Sequence, residues 1–545
     1  MAELRYTEVG RVKSIRGCIV VVSGLKSCIN GQIINFGFGT QGMVLGFTEE
    51  ETHVLLIKES ERIKTGDEVR ASLEPFNIPV GNAFVGRIVN SLCEPIDGLG
   101  DIESSAYNPI FPSAPAILER QPLCLTLETG IKVLDSMIPI GLGQRQLILG
   151  NKVTGKTTII TDTILNQKHT GVICIYCAIG KARSQLARVV QLFQENNAFD
   201  YSIIVAAPSS SLPGQQYLSP YVACSLGEHF RSQGKHVFIG FDDFTKHAWC
   251  YREISLLLGR APGRDSYPGD IFYLHSKMIE RACYLDEAHG SGSMTFLPAV
   301  EILEGDLTAF VPSNLISMTD GQIMLDSTLF GEGQKPALDL GLSVSRVGAK
   351  VQWPIIKELS RFLRLEYLQF RELQKATKLR VGRQLSDEVL EQLKSGEILT
   401  LLLRQDKNQP VIMEALVLIL FSFKRKYIQQ MPNMARVQTM LDEVYDFAKG
   451  KNSELVALLR ERRKMDDEID KGLVSILEEY VGNIKAEQDK IDAAKEAEEN
   501  GEASSEDDVG EGIVANIGKD VLDDVTSKIN KQKDFGEIEL DDDDE

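Results

Sequence analysis

The stretch LGNKVTGKTTI, Leu149 to Ile159, sets Gly150, Gly155, Lys156 and Thr157 in the order G-x-x-x-x-G-K-[ST]. Each of these residue types has a task when the ligand is a polyphosphate. Glycines let backbone N–H groups turn toward phosphate oxygens, the lysine adds a positive point charge, and the threonine offers a hydroxyl to magnesium at a helix N-terminus. The expected nucleotide-binding residues are therefore Gly150, Asn151, Lys152, Val153, Thr154, Gly155, Lys156, Thr157 and Thr158. The preceding run Gln146-Leu147-Ile148-Leu149 has the composition of a short buried strand.

A phosphate-handling loop also needs a carboxylate at the end of a neighbouring strand, holding magnesium through water. In HVFIGFDDFTKHA, Val237 to Phe241 is the expected strand, Asp242 its end, and Asp243 the cap of the next segment. An ordinary strand-end turn aspartate is the other reading of Asp242. Thr157 and Asp242 are thus the expected Mg2+ pair. Hydrolysis needs one more group, a carboxylate or glutamine that orients water against the terminal phosphate. Its natural place is the end of the strand after the loop helix. There AIGKARSQ presents Lys181, an ammonium at neutral pH and useless as a base. The loop is expected to bind without turnover.

The elements that must position these residues follow from the patterning. Residues 1–79 alternate short β-branched runs with glycine turns, the spacing of a small β-barrel. Over 80–374, apolar strands (Leu147–Leu149, Ile173–Ala178, Ile203–Ala206, Val237–Phe241, Phe296–Val300) alternate with helical stretches, the signature of a parallel sheet in a P-loop α/β domain. Residues 375–484 carry apolar positions at three-to-four spacing and predict a helical bundle. Residues 485–545 are acidic and poor in aromatics, the composition of a disordered tail. Within it, Ile517, Val521, Val525 and Ile529 would form one stripe on a short amphipathic helix.

Composition narrows the function classes. The net charge of −19 is uneven: 22 acidic and 6 basic residues lie from Ala486 onward, so the body is nearly neutral. That argues against nucleic-acid binding, which usually shows as a basic domain. Nine scattered cysteines in a long chain suggest reduced thiols, and Cys174 and Cys177 fall within an expected strand, as core packing. No apolar run approaches the ~20 residues of a membrane span, and MAELRYTEVG lacks the marks of a signal or transit peptide.

With these residues in place, the chain resembles the alpha subunit of the rotary F-type ATP synthase, from about Val9 to about Gly482. TGIKVLDSMIPIGLGQRQLILGNKVTGKT, GRAPGRDSYPGDIFYLHSKMIERA, VPSNLISMTDGQI and PALDLGLSVSRVG are similar to that family's motifs in order and spacing. The resemblance implies a non-catalytic subunit that holds ATP or ADP with Mg2+ and alternates with catalytic beta subunits in a hexameric ring. It implies a central-stalk gamma subunit and peripheral-stalk subunits as further partners, and membrane contact only through the ion-translocating sector. It would place the chain on the reducing side of an energy-transducing membrane. It also assigns Arg346, in LGLSVSRVG, as a finger lent to the neighbouring subunit; without the resemblance Arg346 is an ordinary ion-pair residue. Lys335-Pro336 stands where the family has the arginine-proline that borders adenine, and Asn151-Lys152-Val153 where it usually has aspartate-arginine-glutamine. The usual N-terminal helix for the peripheral stalk is nearly missing, which leaves open an F-type-derived motor coupled to a different membrane or cytoskeletal machine. A self-sufficient hexameric ATPase or helicase is the remaining alternative, opposed by Lys181.

Overall fold

The computed structural model describes residues 8–59, 63–72, 75–303, 305–379, 387–431 and 433–499. Six strands come first: β1 (Val9–Arg16), β2 (Ile19–Ser23), β3 (Ile33–Gly37), β4 (Thr40–Phe47), β5 (Glu51–Lys58) and β6 (Glu68–Ala71). They close into a barrel in the order β1-β2-β5-β4-β3-β6. Side chains alternate faces along a strand, and β2 and much of β5 bury both faces. Val20, Val22, Val54 and Leu56 fill the barrel, while Ile19, Leu55 and Ile57 face outward into the core of the next domain. That second face explains the unbroken run Ile19–Val22.

The central domain is built on β7 (Ile88–Val89), β8 (Leu147–Gly150), β9 (Ile173–Ile179), β10 (Ser202–Ala207), β11 (His236–Asp242), β12 (Ser293–Glu301), β13 (Gly321–Leu325) and β14 (Val344–Ser345). Their order is β14-β13-β8-β12-β11-β9-β10-β7, parallel throughout except for the antiparallel edge pair β13–β14. All five expected strands are present, each within a residue or three of its expected ends. Leu147, Ile148 and Leu149 are wholly buried, contributing about 1.5–3 kcal/mol each. Helices α1 (Lys156–Leu165), α2 (Arg183–Glu195), α3 (Pro213–Ser232) and α4 (Phe244–Leu257) connect the parallel strands. Glycine at 240 lets α1 lie against β11, because a Cβ there would meet Ile160 Cγ2 at 2.2 Å. Cys174 and Cys177 are buried thiols in β9, and all nine cysteines are free.

The helical region comprises α5 (Leu363–Leu379), α6 (Asp387–Leu403), α7 (Met413–Lys424), α8 (Met434–Lys451), α9 (Ser453–Arg462) and α10 (Asp467–Glu499). The stretch ELVALLRERRKMDDEIDKGLVSILEEYV forms two helices, because Arg463 adopts φ 55° and ends α9. One boundary differs from the sequence reading. The last helix continues past position 484 to Glu499, where KAEQDKIDAAKEAEE is rich in the strong helix formers Ala, Glu, Gln and Lys. The rest of the tail, with its Ile517–Ile529 stripe, lies outside the described residues.

The turn after α6 clasps the central domain. Gln405 accepts from Lys132 N at 2.9 Å, donates Nε2 to Gly130 O at 2.7 Å, and its backbone N–H reaches Lys335 O at 2.8 Å. Asn408 N–H donates to Asp162 Oδ1 of α1 at 3.1 Å. Among the described residues no helix is long and apolar enough to cross a membrane.

Candidate functional site

Gly150, Lys181, Asp242 and Glu301 all sit at the C-terminal ends of the adjacent parallel strands β8, β9, β11 and β12. In open α/β sheets this edge is where ligands bind. The loop between β8 and α1 turns through left-handed backbone at Val153 (φ 63°) and Gly155 (φ 103°). A glycine adopts this freely, whereas a β-branched valine, here 83% exposed, is strained by it. Such alternation of backbone hand forms an anion-binding concavity. Thr154 Oγ1 fixes the turn by donating to Asn151 O at 2.8 Å.

Lys156 is buried, and its Nζ donates to the carbonyls of Gly150 and Asn151 at 2.8 and 2.6 Å. Burial pushes its ammonium below the usual lysine range, opposed by the carboxylates of Glu301, Asp243 and Asp242. Lys152 lies 3.6 Å from Glu301. Asn151 Nδ2 reaches Ser327 Oγ at 3.4 Å, and its buried Oδ1 has no hydrogen-bond partner among the described residues. Thr158 is the third residue of α1, its carbonyl accepting from Thr161 Oγ1. The second segment, Lys335-Pro336, borders the same edge: Asp326, at the end of β13, donates its N–H to Ala337 O at 2.9 Å. Lys335 Nζ sits 5.9 Å from the centre of the Phe330 ring.

Asp242 is fully buried. Oδ2 accepts from Thr157 Oγ1 at 2.6 Å and from the Tyr176 hydroxyl at 2.9 Å. Oδ1 lies 2.7 Å from Lys181 Nζ in an ion pair. Asp243 does cap the next helix, accepting from Lys246 N at 2.8 Å. Burial beside the Asp242 charge raises its carboxyl to about 6. Thr157 and Asp242 supply the oxygens a magnesium ion needs, but the carboxylate charge is already matched by Lys181. The site does not fit a dication held in the ordinary way.

Arg346 is not part of this cluster. It is exposed, directly follows edge strand β14, and its backbone N–H donates to Asp320 O at 2.7 Å. Asp320 precedes β13, whereas the phosphate loop leaves the opposite end of the sheet, where Gly150 pairs with Leu325. The separation along the strand is about 17 Å at ~3.3 Å per residue. Among the described residues the guanidinium has no carboxylate partner.

Two site residues escaped the sequence reading. Glu301 had a visible signal, a carboxylate closing the apolar run Phe296–Val300. Tyr176 had none, since a tyrosine within a buried strand is ordinarily packing.

Three family models match the chain. The ATP synthase alpha/beta family beta-barrel domain matches residues 6–72, the nucleotide-binding domain 130–345 and the C-terminal domain 352–480. Each falls on the corresponding region of the structure, and together they cover most of the sequence. The match extends well beyond the phosphate loop, through the barrel that precedes it and the helices that follow, and the chain belongs to the ATP synthase alpha/beta family.

Proposed function

We propose that this chain is the non-catalytic, alpha-type subunit of a rotary F-type ATPase, holding ATP or ADP while catalytic beta-type neighbours turn it over. The observation that carries the reading is Lys181. A cation stands at the position where hydrolysis needs a water-orienting group, and it is ion-paired to Asp242 rather than free to act as a base. The loop from Gly150 to Thr158 would cradle the phosphates, with Lys156 as their charge partner. Lys335 and Pro336 would border the base. Thr157 and Asp242, the pair expected to hold Mg2+, are engaged with each other and with Lys181.

The position of Arg346 supports a role outside its own site. Its distance from the chain's own loop exceeds the reach of an arginine side chain, and a guanidinium left on the surface suits the transferring phosphoryl group of an adjacent subunit. Alternation with beta-type subunits in a ring, contact with a central gamma stalk and coupling to ion transport through a membrane sector belong to the same reading. Purified full-length chain should bind ATP and show no hydrolysis above a Lys156→Ala control. Multiple turnover by the wild-type chain alone, abolished in Lys156→Ala, would point to a self-sufficient ATPase and end the non-catalytic assignment.

A further inference from the structure

The charge arrangement around Asp242 differs from what a magnesium-dependent site requires. Polyphosphate brings several negative charges, and a buried carboxylate beside them must be compensated. In a magnesium site the dication balances both at once. Here the balance is built into the chain. Lys181 follows Gly180 at the end of β9, its carbonyl accepts from Ser209 N at 2.9 Å, and its side chain is only 17% exposed. Its ammonium is therefore held in place at Asp242 Oδ1 rather than swinging in solvent. The other carboxylate oxygen is taken by the hydroxyls of Thr157 and Tyr176. A dication arriving at Asp242 would meet a fixed positive charge 2.7 Å from Oδ1, an oxygen with no hydrogen-bond partner among the described residues beyond that ion pair.

We propose that Lys181 takes the electrostatic place of the divalent ion, so that this site binds ATP or ADP with little dependence on Mg2+. The inference rests on the nucleotide-binding reading and deepens it. A fixed ammonium neutralises Asp242 and leaves Lys156 free to serve the phosphates. Magnesium then adds little that the chain does not already supply. The arrangement also accounts for a lysine at a position useless for water activation: its task is charge, not proton transfer.

Calorimetric titration of the full-length chain with ATP, in excess Mg2+ and in excess EDTA, tests this. Wild-type dissociation constants in the two conditions should agree within about fivefold. Lys181→Gln should weaken binding in EDTA by about tenfold or more and regain much of it with Mg2+. Lys181→Arg, which keeps the charge, should retain the wild-type ratio. A wild-type loss of tenfold or more on chelation overturns the proposal, as does an unchanged ratio in Lys181→Gln. The wild-type comparison stands even if the glutamine variant fails to fold. Absence of nucleotide binding in both conditions would instead overturn the nucleotide reading itself, and the inference with it.

Discussion

Arg346 and Arg145 are held by the same residue, Asp320, in two different ways. The Asp320 carbonyl accepts the Arg346 backbone N–H at 2.7 Å, while its carboxylate takes Arg145 Nε at 3.0 Å and Nη2 at 2.7 Å. Arg145 lies two residues before β8 and its own N–H also reaches Asp320. One guanidinium is thereby consumed as a brace, and the other is left at the surface with its backbone fixed.

Removing the free one should separate the two roles. In a ring reconstituted with its partner subunits, Arg346→Ala is expected to lower ATP turnover by about 10²–10³, because a finger acts mainly in the transition state. Nucleotide binding to this chain, measured by titration, should change little. Loss of binding here with ring turnover intact would mean that Arg346 serves its own site.

Asp162, on the phosphate helix, gives a pH prediction. Burial raises its carboxyl to about 7 in the folded chain, above the ordinary value of an unfolded aspartate. Its contribution to stability is then complete below about pH 4 and is lost as pH rises through 7. Asp162→Asn keeps an oxygen for Asn408 N–H and removes the titration. Thermal melts should show the variant gaining on wild type by about 1–4 kcal/mol at pH 8 and much less at pH 5. An equal difference at both pH values would mean that Asp162 is not the titrating group.

The contact between α1 and β11 is tight enough to test by volume. Gly240→Ala would force its new methyl against Ile160 Cγ2, and overpacking of this kind costs about 1–3 kcal/mol. Since α1 starts at Lys156, nucleotide affinity should fall with stability. Adding Ile160→Ala should recover part of both losses, the coupling expected of residues in contact. Strictly additive losses in the double variant would show that the two do not press on each other.

Much of this was legible from residue order. The five parallel strands are continuous β-branched or apolar runs, and Asp242 and Asp243 took the places their positions after such a run suggested. The barrel's strand order was not legible, since a period of two names a face and not a partner. The turn at Arg463 was hidden too, because arginine rarely adopts left-handed backbone and no glycine marks the break. Glu301 and Tyr176 became site residues only when β12 and β9 were set beside β8 and β11, a relationship that lies between distant segments and has no local signature.

The clasp made by Gln405 and Asn408 has a mechanical consequence. One side chain and two backbone amides tie the first turn beyond α6 to Gly130, Lys132, Lys335 and the phosphate helix. Lys335 precedes the proline expected to border the base, and α1 is the helix that follows the phosphate loop. Bending the chain at that turn would break all of these bonds together, so the turn resists hinging. Torque applied to the helical end would reach the nucleotide loop without passing through a soft joint, and the subunit would resist it as a strut.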